Sequence, residues 1–240
     1  MRNVGQSKKR NQEYEKEFPP SRLFHSLIRS KSPVIIDVGA YHGESYEHYR
    51  DIFPDATIYS FEPDPESFAI LIDETRKNHH CFNIAIFDSS GSIPFYQNPI
   101  SHTNSPYKVN TESRDSIRLN VARGPNNSPL YNTEILVEAK TLDQVVAEEL
   151  INHIDILKID VQAAEVAVLH GAEKSLHITE VVVIEISFFD YYENNSSFGQ
   201  IEELLCPTGF SLFSIINTSQ NPMNGRTDWV EAVYTKQKVV

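Results

Sequence analysis

The sequence predicts an α/β domain on a mainly parallel sheet with helices on both faces, and three observations carry that expectation. Short apolar runs alternate with segments of helical periodicity through residues 23–87. The first run, residues 34–38, leads into a turn bearing Gly39 and Gly43, the kind of strand-to-helix connection on which such folds seat nucleotide-like ligands. Two later apolar runs, residues 155–161 and 181–186, are separated by another helical stretch. A crossover helix returns the chain to the same end of the sheet, so the strands it joins lie parallel.

In chain order, residues 1–18 are polar, lysine-rich and without period, and read as a flexible tail. Residues 19–240 then form a single domain, long enough for an ordinary core. Leu23, Phe24, Leu27 and Ile28 repeat at helical spacing until Pro33 stops them. Residues 34–38 make the first strand, residues 44–53 a helix closed by Pro54, and residues 57–61 the second strand. Pro65 opens a helix running through Phe68, Leu71, Ile72 and Thr75, and residues 81–87 read as the third strand. Asp88-Ser-Ser-Gly91 has hairpin-turn chemistry, and residues 93–96 form a short strand outside the main alternation. Residues 98–132 hold Pro, Asn, Gly and Ser without a usable period: either a disordered insert or a functional lid, the lid being favoured. Order resumes with a strand at 135–139, a helix from Thr141, the strand at 155–161, a helix through Val166 and Leu169, and the strand at 181–186. A helix at 201–205 and two closing strands at 211–215 and 229–234 complete the chain.

Composition removes several function classes. Acidic residues outnumber Lys and Arg by 33 to 21, a net charge of -12, and such a surface repels a phosphate backbone, so no nucleic-acid partner is expected. Arg2, Lys8, Lys9 and Arg10 read as a solvated terminus. Cys81 and Cys206 lack metal-ligand spacing and are expected to be buried free thiols of a reducing compartment. The longest apolar run, residues 181–189, is interrupted by Glu185 and too short to span a bilayer, and the first residues lack an apolar signal core, so a cytoplasmic protein is expected.

The first turn, Asp37-Val-Gly39-Ala40-Tyr41-His42-Gly43, carries the most chemistry. A pyrophosphate-binding turn needs a glycine where Tyr41 stands, and a strand ending in an acid disfavours an anion, which counts against a nicotinamide dinucleotide. A cationic amino-acid sulfonium meets no such objection. Glu62, at the carboxyl end of the second strand, stands where an acid accepts hydrogen bonds from two ribose hydroxyls.

With these residues in place, the chain resembles the FkbM family of S-adenosylmethionine-dependent methyltransferases. The resemblance runs over residues 34–213 and rests on the Asp37 turn, Phe61-Glu-Pro-Asp64, Asn83-Ile-Ala85 with Asp88 and Gly91, Thr141-Leu-Asp143, and Leu157-Lys-Ile-Asp-Val161 with Glu165, Leu169 and Gly171. It implies a Rossmann-like class I methyltransferase fold, a seven-stranded mainly parallel sheet with an antiparallel C-terminal hairpin strand, and O-methylation of a small hydroxylated acceptor such as a sugar or glycan. By position, Asp37, Gly39, Ala40, Tyr41 and Gly43 would flank the methionine part of the cofactor, Glu62 the ribose, Asn83 and Ala85 the adenine edge, and Lys158 and Asp160 the reacting methyl. Two positions depart from the family: Tyr41 where Asn is common, and Ala163 where Gly is usual. A catalytically degenerate cofactor-binding protein of the same fold is the alternative they leave open.

Asp160 is the candidate general base, because open α/β sheets place their ligands at the carboxyl ends of the strands. Glu165 and Glu185 offer hard oxygen ligands beside it, but strand-end acids are common without metal, and no metal is assigned. His102, Tyr107, Arg114, Arg118 and Arg123 in the insert are candidates for acceptor recognition, with a plain surface loop as the other reading. Phe188, Phe189, Tyr191 and Tyr192 are candidates for the acceptor pocket or the core. His79, His80 and His170 are read as helix-end or packing residues.

Overall fold

The computed structural model describes residues 16–72, 76–114, 116, 133–222 and 224–236. Its centre is a seven-stranded sheet in the order β3-β2-β1-β7-β8-β10-β9. The strands are β1 (Val34–Val38), β2 (Thr57–Phe61), β3 (His79–Phe82), β7 (Ile154–Ile159), β8 (Thr179–Ser187), β9 (Phe210–Gln220) and β10 (Thr227–Lys236). β1 pairs in parallel with β2 and β7, and β7 with β8, whereas β10 runs antiparallel to both β8 and β9. This is the predicted sheet. Strand order reverses direction between β1 and β7, the point where open α/β sheets leave a crevice.

Helices α1 (Pro20–Leu27), α2 (Glu44–Ile52), α3 (Pro65–Leu71), α4 (Leu142–Glu148), α5 (Glu165–His170) and α6 (Phe198–Leu205) clothe the sheet. Strand alternation divides the core between its two faces. Ile36, Leu157, Ile184 and Ala232 pack with Leu142 and Val145 of α4, Val168 and Leu169 of α5 and Ile201 of α6. Ile35, Ile156, Val183 and Val233, one residue out of phase, pack with Phe24 of α1 and Tyr46 and Tyr49 of α2.

Several expectations need correction. Residues 81–87 do not form one strand: β3 ends at Phe82, and β4 (Ala85–Ile86) belongs to a separate three-stranded sheet with β5 (Gly91–Gln97) and β6 (Thr133–Lys140), in the order β4-β6-β5. The break falls at Asn83, whose side-chain Nδ2 donates to the carbonyls of Glu62 (2.8 Å) and Pro63 (3.1 Å). The helix after Pro65 ends at Leu71, and Thr75 lies outside the described residues. Cys206 is exposed and Cys81 half-buried, so neither is the buried thiol expected: Cys206 caps the end of α6, and Cys81 lies on β3, the edge strand of the sheet. The closing strands are longer than their apolar centres, because pairing with each other extends them to residues 210–220 and 227–236. Most of the expected tail, and residues 117–132 of the insert, lie outside the described residues. Among those described, no helix is long and apolar enough to cross a membrane.

Candidate active site

On the face of the sheet that carries α1 and α2, each central strand changes from apolar to charged at the same level. Ile35 is followed two residues on by Asp37, Ile156 by Lys158, Val183 by Glu185, and β10 descends from Val233 through Glu231 to Trp229. Register aligns them, with Asp37 beside Lys158, Glu231 opposite Glu185 and Trp229 opposite Ser187. A row of charge therefore lies across the carboxyl ends of the parallel strands. Lys158 Nζ is 3.8 Å from Asp37 Oδ1 and 3.3 Å from Asp160 Oδ2. Burial pulls the Lys158 pKa down, but Asp160 and Asp37 outweigh it and hold the ammonium above the ordinary lysine range. Asp37 is fully buried, and its carboxyl is raised by burial, with Lys158 opposing and Asp160 adding to the shift. Neither Asp37 oxygen closes a hydrogen bond of normal geometry, although the nearby Ser45 hydroxyl also favours its charged form.

The turn after β1 is tight because it crosses the chain after β7. Gly39 has φ +85°, and a Cβ there would stand 1.9 Å from the Asp160 carbonyl oxygen. The amides of Gly39 and Ala40 both donate to Phe61 O, and the amide of Tyr41 donates to Glu62 Oε2 at 2.9 Å. Glu62 Oε1 accepts from the Asp64 amide at 2.8 Å. Burial raises the Glu62 carboxyl to about 7 even though both backbone bonds lower it. Gly43, in the left-handed region at φ +98°, starts α2 and faces the Arg76 guanidinium rather than the cleft. Tyr41, itself at φ +49°, stacks on His42 and shares a 2.7 Å hydrogen bond with the Ser101 hydroxyl.

The turn after β7 is built from strained residues held by many bonds. Gln162 and Ala163 have φ +54° and +84°, so Ala163 takes the left-handed geometry that glycine adopts most readily. Its amide donates to Glu165 Oε1 (3.1 Å), and its carbonyl accepts from Ser196 Oγ (2.6 Å). Gln162 Nε2 donates to Asp160 Oδ1 (3.0 Å) and reaches Glu185 Oε1 (3.4 Å). Burial first, and the neighbouring Asp160 and Glu165 second, push the Glu185 carboxyl well above the usual range. Burial likewise raises Glu165 to about 7.

These turns enclose a cleft of about 490 Å³, lined by Gly39, Ala40, Tyr41, Glu62, Ala85, Lys158 and Asp160 among the residues expected from sequence. Gly43 and Asn83 do not line it, and Asp37 lies beneath it. The described start of the insert forms one wall through residues 101–104 and Pro106. His102 lines the cleft, Tyr107 packs beside the buried Val109 and Tyr191, Arg114 is exposed, and Arg118 and Arg123 lie outside the described residues. Of the aromatic group, Phe189 lines the cleft, Tyr191 and Tyr192 are core, and Phe188 is exposed. Gln162, Ser45 and Trp229 also line it and were not anticipated. Only the alternation Trp229-Val-Glu231 hinted at Trp229, and register with β8 was needed to place it.

Comparison with known proteins agrees with this architecture. A family model described as the methyltransferase FkbM domain matches residues 37–212. The 2-O-methyltransferase NoeI of Sinorhizobium fredii is 28% identical over 77% of this chain and 75% of its own length. The hexuronic acid methyltransferase AglP of Haloferax volcanii is 26% identical over 55% of this chain and 47% of its own. A crystal structure of a methyltransferase FkbM from Methylobacillus flagellatus KT superposes with a TM-score of 0.54 at 13% identity, covering 93% of this chain and 50% of that one, which shows the shared fold. This chain spans about half the length of that structure. On the match over residues 37–212, the chain belongs to the FkbM-domain family and is a methyltransferase.

Proposed function

We propose that this methyltransferase uses S-adenosylmethionine to methylate a hydroxyl of a small sugar or glycan, with the cofactor on the β1–β2 side of the cleft and the acceptor on the β7–β8 side. The observation that carries the reading is the meeting of two acid-bearing turns at the switch point: Glu62 and Asp37 on one side, Asp160 and Glu185 on the other. The donor set fits the cofactor. An excess of carboxyl groups around the cleft, with Asp37 buried beneath it, suits a cationic sulfonium with an amino group, and Glu62 retains lone pairs for ribose hydroxyls. The names of NoeI and AglP, one a 2-O-methyltransferase and one acting on a hexuronic acid, favour an oxygen nucleophile on a sugar.

When bound, S-adenosylmethionine supplies an electrophilic methyl group. The chain's own task is then to hold an acceptor hydroxyl in line, exclude water and remove one proton. Positioning of that kind is worth roughly 7 to 11 kcal/mol, and a placed base adds about 10²- to 10⁴-fold. Asp160 is the base in this scheme, with Gln162 and Lys158 fixing its two oxygens and the start of the insert walling off solvent. Ala40, Tyr41 and Ala85 shape the cofactor side. Gly39 and Gly43 set its turn, and Asn83 braces the backbone of Glu62. The left-handed backbone of Ala163 favours an active site over a degenerate one, since the turn keeps its shape without the glycine.

The test is thermal unfolding with S-adenosylmethionine or S-adenosylhomocysteine at about 100 times Kd, where stabilisation of roughly 2.7 kcal/mol is expected. Glu62→Ala should abolish it. No shift with either ligand would remove the cofactor assignment.

A further inference from the structure

We infer that the acceptor side of the cleft binds an uncharged sugar ring, stacked on Trp229 and Phe189 and held at its hydroxyls by Asp160, Gln162 and Glu185; this rests on the sugar O-methylation proposed above. Trp229, the only tryptophan in the chain, continues the charged row on β10. It pairs with Ser187 while Glu231 pairs with Glu185, so Trp229 and Glu185 are diagonal neighbours on one face of the sheet. The Phe188 amide donates to Asp228 O and carries the β8–β10 pairing one step further, which brings Phe189 to the same end of the sheet. Both rings are only partly buried, and both line the cleft that contains Asp160, Gln162 and Glu185.

An aromatic face carries the negative lobe of its quadrupole, and the C–H face of a pyranose presents weakly positive hydrogens to it. Carboxylates and a side-chain amide at the rim of such a platform accept and donate at the ring's hydroxyls. Charge selects among sugars. Among the described residues lining the cleft, the acids Glu44, Glu62, Asp160 and Glu185 stand with one imidazole, that of His102, and one ammonium, that of Lys158, which is already shared between Asp37 and Asp160. Among the described residues, a uronate carboxylate would meet no lysine or arginine in this cleft that is not already paired, whereas a neutral hexose or an N-acetylhexosamine brings no charge to repel the acids. The cleft thus departs from the acceptor that the name of the Haloferax volcanii relative specifies.

The experiment follows tritium-labelled methyl transfer from S-adenosylmethionine, by the full chain, onto neutral hexose, N-acetylhexosamine and uronate saccharides. Neutral and N-acetylated acceptors should exceed uronates by about tenfold or more in kcat/KM. On the best of them, Trp229→Leu should raise KM about tenfold, Trp229→Phe should recover most of that loss, and both should bind S-adenosylhomocysteine as the parent does. Preference for uronates, a KM indifferent to Trp229→Leu, or failure of Trp229→Phe to recover it overturns this inference and leaves sugar methylation standing. Absence of label on every saccharide, with S-adenosylhomocysteine still bound, overturns sugar methylation itself and this inference with it.

Discussion

Gly39 and Ala163 occupy two turns that touch, and each is held in left-handed backbone for a different reason. At Gly39 the obstacle is contact as well as conformation, because the Asp160 carbonyl fills the space of a side chain and belongs to backbone that cannot swing away. At Ala163 the methyl is accommodated among Val109, Tyr191 and Tyr192, and two hydrogen bonds hold the peptide units on either side. Left-handed geometry costs a non-glycine residue about 1 to 2 kcal/mol. Gly39→Ala should therefore lose more than that, with cofactor binding. Gly209, at φ +90° with nothing within 4 Å, is the control: Gly209→Ala should cost only the conformational part, about 1 to 2 kcal/mol. Denaturant titration separates the two, and equal losses would mean that contact with Asp160 contributes nothing. The glycines of the first turn were legible because a sharp strand-to-helix connection is a local matter. Ala163 was legible only as a departure, since its bracing by Ser196 comes from 33 residues away.

At the scale of elements, the start of the insert behaves as a tied wall. Ser105 exchanges backbone bonds with Tyr96, its hydroxyl donates to Gln162 O at 2.6 Å, and the Asn110 amide donates to Tyr191 O. Tyr192 closes the arrangement, its hydroxyl shared between Thr103 O (2.9 Å) and Gln162 Oε1 (3.0 Å). One phenol thus links the insert to the residue that orients Asp160. Tyr192→Phe should cost about 1 kcal/mol and speed amide exchange across residues 98–110, while β7 and β8 exchange as before. Unchanged exchange in the insert would show that other contacts hold it. None of this was visible as a period, because irregular segments are ordered by partners distant in sequence. The same limit explains the third strand, where an apolar run announced burial but not the change of sheet at Asn83.

Across the whole molecule, the site sets how stability depends on pH. Glu62 and Glu165 are buried acids raised from 4.5 to about 7. The folded chain therefore holds more protons than the unfolded one between pH 4.5 and 7, and stability is greatest at the acid end of that window and falls as pH rises through it. A shift of this size corresponds to at most about 3 kcal/mol per group. Denaturant unfolding of the ligand-free chain should show that decline, and Glu62→Gln or Glu165→Gln should flatten it; stability rising over this window would contradict the burial of these acids. By itself the sequence determined the class of fold, the order of its strands and helices apart from the break at Asn83, and the acids at the ends of β1, β2 and β7, because alternation, turn chemistry and a terminal acid are all written within a few neighbouring residues. Only the tertiary structure decided that the start of the insert walls the cleft, that residues 85–86 pair in a second, smaller sheet, and that Trp229 stands diagonally from Glu185, because these depend on the register and packing of segments far apart in the chain.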